Sequence, residues 1–197
     1  MTITSWRRCA LVAAVMGALA VPSSAAAAVE TFHRFEANAV ANYTITHTCA
    51  DGTTPVTRVL VIGGFEEETE DGVTESDEFL TVNFRGSDCA GSFNDFGTGD
   101  AEFEFSPSLQ EASVTGTITT FGGRVVTVDM SWEGTGPLEA DGNTTIRPGF
   151  TGHFVEMERD AVATGTVVVN GQTLVDGSTT NALIRTFEDR NTTTGQA

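Results

Sequence analysis

The sequence predicts an all-β fold, a single antiparallel domain of about nine or ten strands. Three observations predict it. Beyond residue 28, Val, Ile, Thr and Phe recur at spacing two, which is the period of a strand with one buried face. No stretch there keeps a helical period. Clusters of Gly, Asp and Asn divide the chain at short intervals, so neighbouring strands are joined by turns and must run antiparallel. A meandering β-barrel is favoured over a β-sandwich, because consecutive hairpins pair with their neighbours and closure removes the exposed edges.

The N-terminus comes first in that order. Arg7 and Arg8 precede an apolar run of 13 residues from Cys9 to Val21, followed by small residues up to Ala28. This is the layout of a secretory signal peptide, and the arginine pair fits either general or twin-arginine export. The run is shorter than the roughly 20 residues that cross a bilayer. The expected division is therefore a signal peptide over 1–28, one β domain over 29–190 and a flexible tail over 191–197. Such a chain is expected to be secreted and extracellular, with no membrane attachment after cleavage.

The remaining chain holds 8 arginines, no lysine and 27 acidic residues, a net charge of −19. That surface repels phosphate, so a nucleic-acid partner is excluded. With Cys9 removed, Cys49 and Cys89 are left in an exporting context, where an even count argues for a disulfide. Closing about 40 residues this way stabilises the fold by roughly 4 kcal/mol in the chain-entropy picture.

Candidate strands cover 31–36, 40–48, 56–62, 78–85, 101–105, 111–120, 124–133, 144–147, 149–158, 161–169, 172–175 and 181–188, some of which must merge. Two hairpins can be read in register. Val114, Gly116 and Ile118 share one face, as do Val126, Val128, Met130 and Trp132; a three-residue loop over 121–123 brings them opposite each other and pairs Ala112 with Trp132. The second hairpin turns at Asn170-Gly171 and sets Val167 opposite Leu174.

Candidate sites are few. The segment 66–78 carries Glu66, Glu67, Glu68, Glu70, Asp71, Glu75, Asp77 and Glu78, a calcium candidate by charge but without the fixed ligand spacing of a calcium loop. A solvated, mobile loop is the plainer expectation. Asn94, Asp95 and Asp100 form a weaker calcium candidate. His33, His47 and His153 show no spacing that would bring three ligands to zinc. No nucleophile elbow is present, and carboxylate pairs such as Glu102 with Glu104 or Glu156 with Glu158 read as the wet faces of strands. No catalytic residue and no cofactor are assigned.

The segment Val126-Thr127-Val128-Asp129-Met130-Ser131-Trp132, with Gly134-Thr135-Gly136-Pro137-Leu138 and Ala163-Thr164-Gly165-Thr166-Val167, resembles a group of uncharacterised secreted β-rich proteins of GC-rich Gram-positive bacteria. The resemblance covers roughly the second half and implies export and β structure, with no assigned activity. The functional expectation is a secreted, non-enzymatic β protein that binds a small apolar ligand or a protein partner. The alternatives are a secreted hydrolase with dispersed carboxylates and a calcium-binding extracellular module.

Overall fold

The computed structural model describes residues 29–194, so the expected signal peptide over 1–28 lies outside the described residues. Among the described residues the chain forms ten strands and no helix. They are β1 (Val29–Thr46), β2 (Val56–Glu70), β3 (Val73–Asp88), β4 (Gly91–Asp100), β5 (Glu102–Phe105), β6 (Glu111–Thr119), β7 (Val125–Gly134), β8 (Glu139–Arg147), β9 (Phe150–Val169) and β10 (Gln172–Thr194). All pair antiparallel in one sheet of order β4-β3-β2-β1-β10-β9-β7-β6-β5, with β8 branching from β9 beside β7. The first and last strands thus form the central pair.

The sheet is not the closed barrel that the meander suggests. Its outermost strands, β4 and β5, follow each other in the chain with only Ala101 between them, yet no shared ladder joins the two ends. The sheet folds over on itself instead, and the seam is made by close approach. A Cβ on Gly97 would sit 2.8 Å from the Cα of Thr120, and one on Gly63 would sit 2.7 Å from the Cβ of Val114. Glycine is required there because the opposing layer occupies the space of a side chain.

Two carboxylates hold this seam. Asp95 on β4 is buried and accepts hydrogen bonds from the Thr120 hydroxyl at 2.7 Å and the Gly122 N–H at 2.8 Å. The Arg124 guanidinium stands 3.7 Å away and stacks over the Phe93 ring. On β3, Glu78 accepts the Phe103 N–H at 2.9 Å, while its backbone carbonyl takes the Ala101 N–H. Backbone groups at an unpaired edge are satisfied by these side chains where a neighbouring strand would otherwise do so.

The interior is closed to water. Val59, Val61, Leu80, Val82 and Phe84 from one side meet Val114, Ile118, Val126, Val128, Met130 and Trp132 from the other. Between them lie the small residues Ala37, Ala39, Ala41, Ala161 and Ala163, all at 0–2% exposure, which let the central strands take the fold without overpacking. The β6–β7 hairpin has the register read from its parity, including Ala112↔Trp132 and Ile118↔Val126. Gly123 supplies the positive φ of +80° that its loop needs.

Four expectations are corrected. Val167 pairs with Val175, not Leu174, because a bulge after Thr173 adds Leu174 to β10 and turns Val175 into the core. The tail expected from residue 191 is strand through Thr194, since Asn191 lies between Phe32 of β1 and Gly152 of β9. Segment 91–100, absent from the candidate strands, is β4. The acidic segment 66–78 is not a mobile loop; β2 and β3 continue through it as a ladder to a turn at Asp71-Gly72.

Cys49 and Cys89 form the expected disulfide, with Cα atoms 5.5 Å apart. It ties the β1–β2 turn to the β3–β4 turn. Beside it the buried Thr57 hydroxyl donates to the Ser87 carbonyl at 3.2 Å, leaving His47 Nε2 as the donor to Thr57 Oγ1 at 2.8 Å.

Trp132 links the fold across its middle. Pairing of β1 with β10 stops at Ala41↔Ala182, next to an irregularity at Thr179. There the Trp132 indole N–H donates to the Val40 carbonyl and the Thr179 hydroxyl to the Asn42 carbonyl, each at 2.9 Å. We expect Trp132→Ala to cost about 3–5 kcal/mol. Trp132→Phe should cost about 1–2 kcal/mol through the orphaned carbonyl, whereas Asp129→Ser, on the wet face, should stay within about 0.5 kcal/mol. Urea unfolding with an unchanged m-value measures all three.

Candidate functional site

Strand alternation sorts the acidic side chains before any pairing is considered. Along β2 and β3, Glu66, Glu68, Glu70, Glu75 and Asp77 point to the outer face, while Glu67 and Glu78 point to the face that continues the core. Asp71 takes the turn with φ +48°. The eight carboxylates that look contiguous in sequence are therefore split three ways. Glu78 serves the seam, and Glu66 pairs with Arg34 at 2.8 Å, an arginine that also contacts Glu36. Among the described residues, no group of three or more His, Cys, Asp or Glu converges as metal ligands would.

What the ladder does create is a set of like charges placed directly opposite one another. Glu66 faces Asp77, and Glu68 faces Glu75. The same outer face continues across the sheet through Glu36 on β1, Asp189 on β10 and Glu156 and Glu158 on β9 to Glu139 and Asp141 on β8. Its cations are Arg34, Arg185 and Arg147 within the acidic rows, and Arg58 and Arg85 farther along β2 and β3. Half-buried Phe154 and Phe187 meet edge to face on this surface, with ring centroids 4.9 Å apart. The result is a broad acidic sheet face with an aromatic island.

The remaining candidates are dispersed or structural. Asp95, of the weaker calcium group, is spent on the seam. His33 Nε2 lies 3.1 Å from Glu188, and His153 Nδ1 lies 3.0 Å from the Thr144 hydroxyl. Arg190 stands between these two histidines in the same cross-strand row, so they do not meet. A shallow outer groove of about 480 Å³ runs along β5, β6 and β7, with Glu104, Glu111, Glu133, Ser113 and Ser131 in its lining. Its carboxylates are exposed. Asp95 is the one buried carboxylate among the described residues, and its partners account for it. The outer acidic face needed the pairing register to be seen, because it combines strands far apart in sequence.

On the opposite face, burial tends to raise the Glu188 carboxyl, but hydrogen bonds from Arg190 and His33 outweigh it and hold the group below its ordinary range. A depressed folded value contributes stability above the unfolded pKa and loses it as pH falls through the folded one. Glu188→Gln should therefore be destabilised by at most about 1 kcal/mol near neutrality, and the difference from the parent should shrink progressively as the pH is lowered through the carboxylate range. Thermal unfolding across pH reads this.

The opposed like charges yield a second expectation. Glu75→Arg places a cation across from Glu68 and should raise stability by about 0.5–1 kcal/mol. The gain should shrink in molar salt, where such charges are screened. Melting curves at low and high salt check it.

No protein-family model, curated protein or solved structure matches the chain.

Proposed function

We propose that the chain is a secreted, non-catalytic binding protein that engages a basic protein partner through the acidic outer face of its sheet. The observation that carries this reading is the carboxylate surface running from Glu68 and Glu75 on one side to Glu139 and Asp141 on the other, with Arg34, Arg185 and Arg147 among its rows and Arg58 and Arg85 beyond them. Complementary potential steers association and selects partners by charge. Phe154 and Phe187 supply the apolar contact that such an interface needs at its centre.

Export is supported by the signal-like segment 1–28 and by the disulfide, which persists in oxidising compartments. Among the described residues no helix is long and apolar enough to cross a membrane. The filled interior favours a protein partner over a small apolar ligand. Hydrolysis by paired carboxylates is less supported, because the one buried carboxylate is satisfied by structural partners. The alternating carboxylates of β2 and β3 likewise give less support to a calcium module.

A basic test protein such as a lysine-rich histone should bind, with affinity falling as salt rises. Replacing Glu66, Glu68, Glu75 and Asp77 by Ser should weaken binding at least about tenfold, the effect of roughly 1.4 kcal/mol. Replacing Glu104, Glu111 and Glu133 in the β5–β7 groove should change it little. Equal losses from both sets would mean that net charge alone attracts the probe, and would overturn the face-specific reading.

A further inference from the structure

The strand β8 pairs only with β9 and leaves its other edge open. Open edges recruit strands unless their side chains prevent it. Two other open edges are guarded. β5 offers Glu102 and Glu104, and the arm of β3 over 73–78 offers Glu75, Asp77 and Glu78, with no basic residue in either stretch. Set against a copy of itself, each would place carboxylate beside carboxylate.

β8 differs. Its nine residues read Glu139-Ala140-Asp141-Gly142-Asn143-Thr144-Thr145-Ile146-Arg147, acidic at one end and basic at the other. Pairing two copies antiparallel about Asn143 sets Glu139 opposite Arg147 of the second copy and Ala140 opposite Ile146, with Asp141 opposite Thr145. Each of these matches occurs twice by symmetry. The side chains also agree in face. Glu139 and Arg147 lie on the outer acidic face, whereas Ala140 and Ile146 lie on the other. Ile146 is 77% exposed, the most exposed large apolar side chain among the described residues. Pro137 and Pro148 stand just beyond the two ends, where they limit the ladder to this register.

We propose that β8 is a self-complementary edge through which two copies of the chain associate, joining their sheets antiparallel about Asn143. The arrangement is isologous, with a two-fold axis normal to the sheet. Both acidic faces then lie on the same side of one continuous sheet. Two copies of the chain over 29–197, each of net charge −19, repel at long range, so association strengthens as salt rises and the Debye length falls below about 8 Å. Capture of a basic partner has the opposite salt dependence, and the two ideas therefore fail separately.

Sedimentation velocity of the chain over 29–197, across a wide range of protein concentration and from about 0.05 to 0.5 M NaCl, tests the proposal. The expected result is a monomer–dimer equilibrium that shifts toward dimer with salt. Arg147→Glu should weaken the dimer at least about tenfold by turning two attractive cross-strand pairs into repulsive ones. The double reversal Glu139→Arg with Arg147→Glu should restore it. Ile146→Ser should weaken the dimer while leaving the melting temperature of the monomer unchanged. A chain that stays monomeric throughout overturns the proposal. So does a dimer indifferent to Arg147→Glu, or one that the double reversal fails to restore.

Discussion

The whole architecture depends on how one sheet manages to fold over without closing. Its two outermost strands are consecutive in the chain, so the fold brings the sheet's ends together across Ala101, but backbone pairing does not bridge them. Asp95 and Glu78 answer the unpaired groups at that seam, and glycine at 63 and 97 lets the layers approach closely enough for them to do so. Burying an ionised carboxylate is costly, and Asp95 is tolerated only because a hydroxyl, a backbone N–H and a guanidinium share the charge.

Among the carboxylates, Asp95 and Glu78 serve the seam, Glu188 is held by Arg190 and His33 on the opposite face, and those of the acidic face alternate outward along their strands. The outer surface of the sheet is organised. Pairing of β1 with β10 at the centre aligns acidic positions contributed by residues from 36 to 189 into one face.

Legibility in the sequence followed apolar alternation. The β6–β7 hairpin could be placed residue by residue because Val126, Val128, Met130 and Trp132 share a parity that only a three-residue loop satisfies. β4 could not, since Gly97 and Gly99 look like a flexible connection until Thr120 and Ile118 are seen against them. The acidic stretch was misread for a related reason. A strand that projects beyond the core buries no apolar face, and its ladder is held by backbone pairing to β1 and by Arg34, neither of which leaves a periodic trace. Leu174 shows the finer limit: a strong turn fixes the start of a hairpin, but a bulge two residues later moves everything after it.

The position of the disulfide has one more implication. Cys49 and Cys89 enclose all of β2 and β3, and the exposed hairpin tip at Asp71-Gly72 is the farthest point of that covalent loop. Outside a cell, such a tip is where a protease reaches first. A single cut there opens the loop without releasing either piece, because the cystine holds both halves and fifteen cross-strand positions still bind β2 to β1. A cut at this exposed tip therefore leaves the two pieces covalently joined.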